Sequence, residues 1–141
     1  MAIEYKLDAK KNLLIHTKSP SPSTPYTPNP DLIYSIGFYD LSNGELQLSG
    51  DIPVDLAYFS IAFYESNTSH FAILKKDIFK RPHFQIALTQ NKSLPIDKET
   101  VRVVSPTKRG TIIIRYYSRD KKEVGEIAKI QKSTRLFVYK Q

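Results

Sequence analysis

This sequence predicts a mainly β fold: one domain built as a sandwich of antiparallel sheets, with a single C-terminal α-helix at about residues 120–134. Three observations carry that reading. Apolar residues alternate with period two through most of the chain, as half-buried strands require. The run GTIIIRYY, Gly110 to Tyr117, is the densest β-branched stretch. Asp120, followed three residues later by Glu123, is the one convincing helix start. At 141 residues and 40% hydrophobic content, residues 1–141 suit one domain that buries a core without disulfides or metal.

In chain order, Ile3, Tyr5 and Leu7 alternate with Glu4, Lys6 and Asp8, and Leu13-Leu14-Ile15 follows as a second short strand. Residues 17–31 hold five of the nine prolines, which remove ladder donors and favour polyproline backbone. This segment reads as a strap across the sheet, or as a Pro-rich ligand for an aromatic groove, although it lacks a basic-flanked PxxP. Next, Leu32, Tyr34, Ile36 and Phe38 share one side of an extended chain, while Ile33, Ser35, Gly37 and Tyr39 share the other. Both sides are largely apolar, so this strand belongs inside a sheet. Ser42-Asn43-Gly44 then supplies the residues a tight hairpin needs, and Leu46 and Leu48 resume the alternation.

Further strands are expected at Ala57 to Glu65, His70 to Leu74, Phe84 to Leu88, Thr100 to Val104 and Gly110 to Tyr117. Polar turns separate them, among them Ser66-Asn67-Thr68-Ser69, and Lys75 to Pro82 reads as a basic loop. In the helix, Val124, Ile127, Ala128 and Ile130 form the apolar stripe and Gly125 weakens it. Leu136 to Tyr139 returns as a last strand.

Composition narrows function mostly by exclusion. Cysteine is absent, which removes disulfides, thiol catalysis and thiolate metal sites. His16, His70 and His83 show no metal-ligand spacing, and GxGxxG, GxxxxGK[ST] and GxSxG are all missing. No catalytic set, metal or cofactor is therefore expected. No apolar run reaches the ~18 to 20 residues needed to cross a bilayer, and the first residues lack a signal-peptide pattern, so the chain as it stands reads as soluble. The net charge of +7 is confined to one part. Residues 1–107 carry eleven basic and eleven acidic side chains; residues 108–141 carry ten and three. A basic C-terminal segment suits nucleic acid, anionic headgroups or an acidic partner, and equally a solvated helix face.

Some side chains stand out. Arg115 interrupts an apolar strand, where it either pairs with a carboxylate such as Asp31 or Asp40 or points to solvent. Tyr34, Tyr39, Tyr58 and Tyr64 supply rings for a sugar-binding or apolar surface, or for the core. Asn67-Thr68-Ser69 also fits a glycosylation sequon in a eukaryotic secretory protein.

The order PDLIYSIGFYDLSNGELQLSGDIP, then YFSIAFYESNTSHFAIL, then SPTKRGTIIIRYY resembles the bacterial family known as domain of unknown function 1254. The residues carrying the resemblance are Asp31, Tyr34 and Ser35; Asp40, Leu41, Ser42 and Gly44; Asn67, Thr68 and Phe71; and Gly110 with Arg115. The resemblance implies a jelly-roll-like sandwich in the cell envelope or periplasm, often beside a companion of the domain of unknown function 1214 type. It also implies an N-terminal membrane helix in many members, which these residues do not contain. It names no reaction.

Two functional readings follow. In the first, a non-catalytic envelope module binds a carbohydrate, a lipid-like ligand or a companion protein through Asn29, Asp31, Tyr34, Tyr64, Asn67 and Arg115. In the second, a hydrolase or isomerase uses Asp31, Arg115 and a tyrosine. Nucleic-acid binding by the basic C-terminal segment comes third.

Overall fold

The structure, a computed structural model, describes residues 12–16, 32–52, 58–79, 81–119 and 121–138. The expected strand at Ile3 to Leu7, the Pro-rich segment, the helix cap Asp120 and Tyr139 lie outside the described residues.

Two sheets face each other across one core. The first orders its strands β1-β2-β8-β4-β5, where β1 is Leu13–His16, β2 Leu32–Asp40, β4 Phe59–Glu65, β5 His70–Lys75 and β8 Arg109–Tyr117. The second orders β7-β6-β3-β9, where β3 is Leu46–Asp51, β6 His83–Thr89, β7 Val101–Val104 and β9 Arg135–Val138. A 3₁₀ turn covers Lys76–Ile78, and the helix α1 spans Lys121–Ser133.

The predicted alternation decides which side chains point inward. Ile33, Phe59, Ile61, Phe63, Ile112 and Ile114 from the first sheet are buried against Leu46, Leu48, Phe84, Ile86 and Leu88 from the second. Ring contacts tie the sheets together, with Phe59 at 6.0 Å from Phe84 and 5.5 Å from Tyr116 between centroids. As expected, β2 is an interior strand, flanked by β1 and β8.

The tight hairpin expected at Ser42-Asn43-Gly44 does not form. Both flanks of β2 are already occupied, so the chain leaves the first sheet there and β3 joins the second, between β6 and β9. The turn residues serve this crossing. Asp40 Oδ1 accepts the Ser42 N–H at 2.8 Å, Leu41 N–H donates to the Lys108 carbonyl at 2.8 Å, and Gly44 takes a φ of 126°. Leu46 and Leu48 still face inward, so the alternation was right while the partner was not.

The hairpin that does form joins β4 to β5 through the SNTS turn, where Thr68 adopts a left-handed φ of 72° and donates its N–H to the Glu65 carbonyl at 2.9 Å. The expected all-antiparallel pattern has one exception: β6 and β7 pair in parallel. The chain between them runs back over the sheet, with Leu94 buried 2% exposed, so β7 starts at the same end as β6.

The helix forms where predicted and closes one end of the sandwich. Ile127 enters the core, and Ser133 Oγ accepts the Asp51 N–H at 3.0 Å. Glu123 reaches back one residue beyond the expected cap: its Oε1 accepts the Arg119 backbone N–H at 2.7 Å and the guanidinium closes on both carboxylate oxygens. Those bonds from Arg119 pull the Glu123 carboxyl down to about 2.

Candidate functional site

Residues directly opposite in an antiparallel ladder share a face, so the register of the first sheet lays out its outer surface in rows. One row reads Lys75, Ser60, Arg115, Tyr34. The next reads Ile73, Ala62, Ile113, Ile36, Ile15, an aliphatic line across all five strands. The third brings His70, Tyr64, Thr111, Phe38 and Leu13 together. A cationic row thus lies beside an aliphatic one.

Three of the sequence-predicted residues meet on this surface. Tyr34 stands opposite Arg115 on the neighbouring strand. From β4, Tyr64 directs its hydroxyl back over Ala62 and accepts a hydrogen bond from Arg115 Nη2 at 3.2 Å. The His70 ring stands edge-on to Tyr64 at 6.2 Å. Neither expected carboxylate partner of Arg115 is seen, since Asp40 instead accepts Arg109 Nε at 3.0 Å and Asp31 lies outside the described residues with Asn29. Hydrogen bonds from Ser42, and then Arg109, hold the Asp40 carboxyl below its ordinary range. Among the described residues no carboxylate lies within ion-pair distance of Arg115. Asn67 sits apart at the tip of the β4–β5 hairpin, where its Oδ1 accepts the Ser69 N–H at 3.0 Å.

Ser60, opposite Arg115, was not singled out from the sequence. It is 1% exposed, and its hydroxyl has no hydrogen-bond partner among the described residues. The signal for it is a hydroxyl on the face of β4 that carries Tyr58, Ala62 and Tyr64. Of the four tyrosines expected to line a surface, Tyr39 is in the core, donating to the Tyr64 carbonyl at 3.1 Å, and Tyr58 is exposed.

A second polar cluster lies inside the sandwich, under α1. Ser35 Oγ is 2.6 Å from His16 Nδ1 and 3.4 Å from the Tyr116 hydroxyl, and it accepts Gln131 Nε2 at 3.3 Å. Gln131 also donates to the Tyr34 carbonyl at 3.3 Å. A serine hydroxyl donating to an imidazole has the geometry of an activated nucleophile. Here, however, Ser35 is fully buried and its remaining capacity is met by Tyr116 and Gln131, so the cluster ties β1, β2, β8 and α1 together. Burial lowers the His16 pKa, keeping the ring neutral and able to accept from Ser35. The sequence hint is a serine on the apolar face of β2 that carries Ile33 and Tyr39.

The remaining features are structural or surface ones. Beside β7, a cavity of about 280 Å³ is lined by Phe79, Val101, Arg81, Lys98 and Glu99, with Arg81 and Glu99 ion-paired. Within the basic C-terminal segment, Arg109, Arg115 and Arg119 are engaged by Asp40, Tyr64 and Glu123 respectively. Among the described residues no group of acidic or histidine side chains could hold a metal, and no helix is long and apolar enough to cross a membrane.

Comparisons with known proteins place the fold. The chain is similar to the VPA0106 protein from Vibrio parahaemolyticus, with 11% identity, a TM-score of 0.64, and 78% of this chain aligned to 28% of that one. It is also similar to an uncharacterized protein from Burkholderia cenocepacia, with 18% identity, a TM-score of 0.50, and 67% of this chain aligned to 27% of that one. The chain therefore spans little more than a quarter of either solved relative. A search of curated proteins finds no match. The residues that bear the resemblance seen in the sequence fall within the match to the family described as protein of unknown function (DUF1254), which runs over residues 12–137, and the chain belongs to that family.

Proposed function

We propose that this chain is a non-catalytic binding module of the bacterial envelope, and that the outer face of its five-stranded sheet holds a lipid-like ligand or a companion protein. The residues that would carry recognition are Tyr34, Tyr64 and Arg115, with Asn67 at the rim. One observation supports this above the others: the Arg115 guanidinium is oriented by the Tyr64 hydroxyl, has no carboxylate beside it among the described residues, and borders an aliphatic row ending in Ile73, 47% exposed. A cation held in place and left without a counter-charge is prepared for an anionic group from outside. An apolar patch rimmed by polar side chains is a common mark of an interaction surface.

The enzyme reading has less support on this face. The Tyr64–Arg115 pair has no general base hydrogen-bonded to it among the described residues, and His70 meets Tyr64 through ring packing. Both solved relatives are bacterial, which supports a bacterial setting; the envelope assignment rests on the family resemblance.

The test is an NMR titration of the labelled chain with three probes: an alkanoate, an oligosaccharide and a companion polypeptide of the domain of unknown function 1214 type. Shift changes confined to β2, β4, β5 and β8 are expected. Changes confined to α1 and β9 would sink the reading.

A further inference from the structure

Building on that reading, we infer that the outer face of the five-stranded sheet recognises one chemical class, an aliphatic carboxylate of fatty-acid type. Its carboxylate would sit in the row of Ser60 and Arg115 and its chain on the row of Ile113 and Ile36.

The head-group argument comes from two neighbouring strands. Arg115 and Ser60 are direct cross-strand partners, which puts their side chains side by side on one face. Arg115 has one donor occupied by Tyr64 and others left over. The Ser60 hydroxyl is buried without a partner among the described residues, a condition native folds rarely leave unrelieved. A carboxylate answers both, taking charge-assisted bonds from the guanidinium and the serine proton on an oxygen lone pair. With Lys75 at the end of the same row, the local charge is positive.

The body argument comes from the adjacent row. Ile73, Ala62, Ile113, Ile36 and Ile15 cross five strands, a span of about 19 Å at the usual inter-strand spacing. A cationic row beside an aliphatic one matches an amphiphile with an anionic head and an apolar chain. A sugar would leave the isoleucine row uncovered, and a neutral lipid would leave Arg115 without an anion.

The experiment uses the full chain with decanoate, decanol and decyltrimethylammonium, each below its micelle concentration, and an acidic leucine-rich peptide. Decanoate is expected to shift the amides of Ser60, Ala62, Ile113, Arg115 and Ile36. Binding should weaken at least about tenfold in R115Q, recover in part in R115K, and weaken about threefold in S60A. The S60A and R115K variants keep the test decisive if R115Q fails to fold. Decanol binding as tightly as decanoate, shifts mapping elsewhere, or R115K and S60A both matching the parent would overturn the inference. Binding of the acidic peptide without decanoate would overturn it too, while leaving the broader binding reading standing; no binding by any probe would remove both.

Discussion

Arg102, on the edge strand β7, and Arg115, on the central strand β8, each stand on the outer face of their sheet, and their surroundings differ. Over the four-stranded sheet, the segment between β6 and β7 folds back, Leu94 is buried, and the Arg102 guanidinium donates to the Leu94 carbonyl. Over the five-stranded sheet, among the described residues, Arg115 hydrogen-bonds to the Tyr64 hydroxyl, and the serine beside it goes without a partner. Even the small residues match, since Ala87 and Ala62 each point outward from a central strand and are fully buried. The comparison teaches where function can reside. One arginine ties down a backbone carbonyl, and the other donates to a tyrosine hydroxyl with no carboxylate beside it among the described residues.

The sharpest way to break this comparison is to remove the cover. Leu94→Ala should destabilise by about 3 kcal/mol, because it empties a fully buried site, whereas Ile73→Ala, at a residue 47% exposed, should lose less than about 1 kcal/mol. Urea denaturation midpoints decide it, and equal losses would mean the two faces are equally closed. Next in size, Ala87→Leu and Ala62→Leu should each lose about 2 kcal/mol, since both alanines are fully buried on the outer side of their sheets. Smaller again, Arg102→Ala should lose about 1 kcal/mol by orphaning a carbonyl. Arg115→Ala should stay within about 0.5 kcal/mol in the absence of ligand. A larger loss at Arg115 would make it a structural residue and end its candidacy.

The smallest expected effects are pH dependences, and they test how closed the end under α1 is. His16 has its pKa lowered by burial from an ordinary 6.5. The unfolded chain then binds that proton more readily, so stability present above pH 6.5 should decline as acid titrates below it. Glu123 falls from an ordinary 4.5 to about 2, so its contribution should be complete above 4.5 and fade between 4.5 and about 2. His16→Gln and Glu123→Gln should each flatten denaturation midpoints in their own window and leave the other intact.

Much of the fold was legible in the residues. The two faces of β2, the inward Leu46 and Leu48, the β-branched β8 and the helix from Lys121 all follow from local periodicity and capping, which depend on neighbours a few positions away. Of the site, Tyr34, Tyr64 and Arg115 could be suspected as polar or aromatic interruptions of apolar strands. Ser60 and the His16–Ser35–Gln131 cluster could not, because their meaning depends on what lies on the next strand or helix.

Residue order alone thus determined most of the described strands, the inward side of β3 and the place of the helix, since side-chain alternation and cap chemistry act over a few residues. Only the tertiary structure decided which sheet each strand joined, why Asn43-Gly44 crosses between sheets, and that Ser60 and Arg115 stand side by side. The physical reason is that a strand's alternation specifies a buried face but not a partner. The partner is set by how strands far apart in the chain, such as β2 and β8, come together across the whole fold.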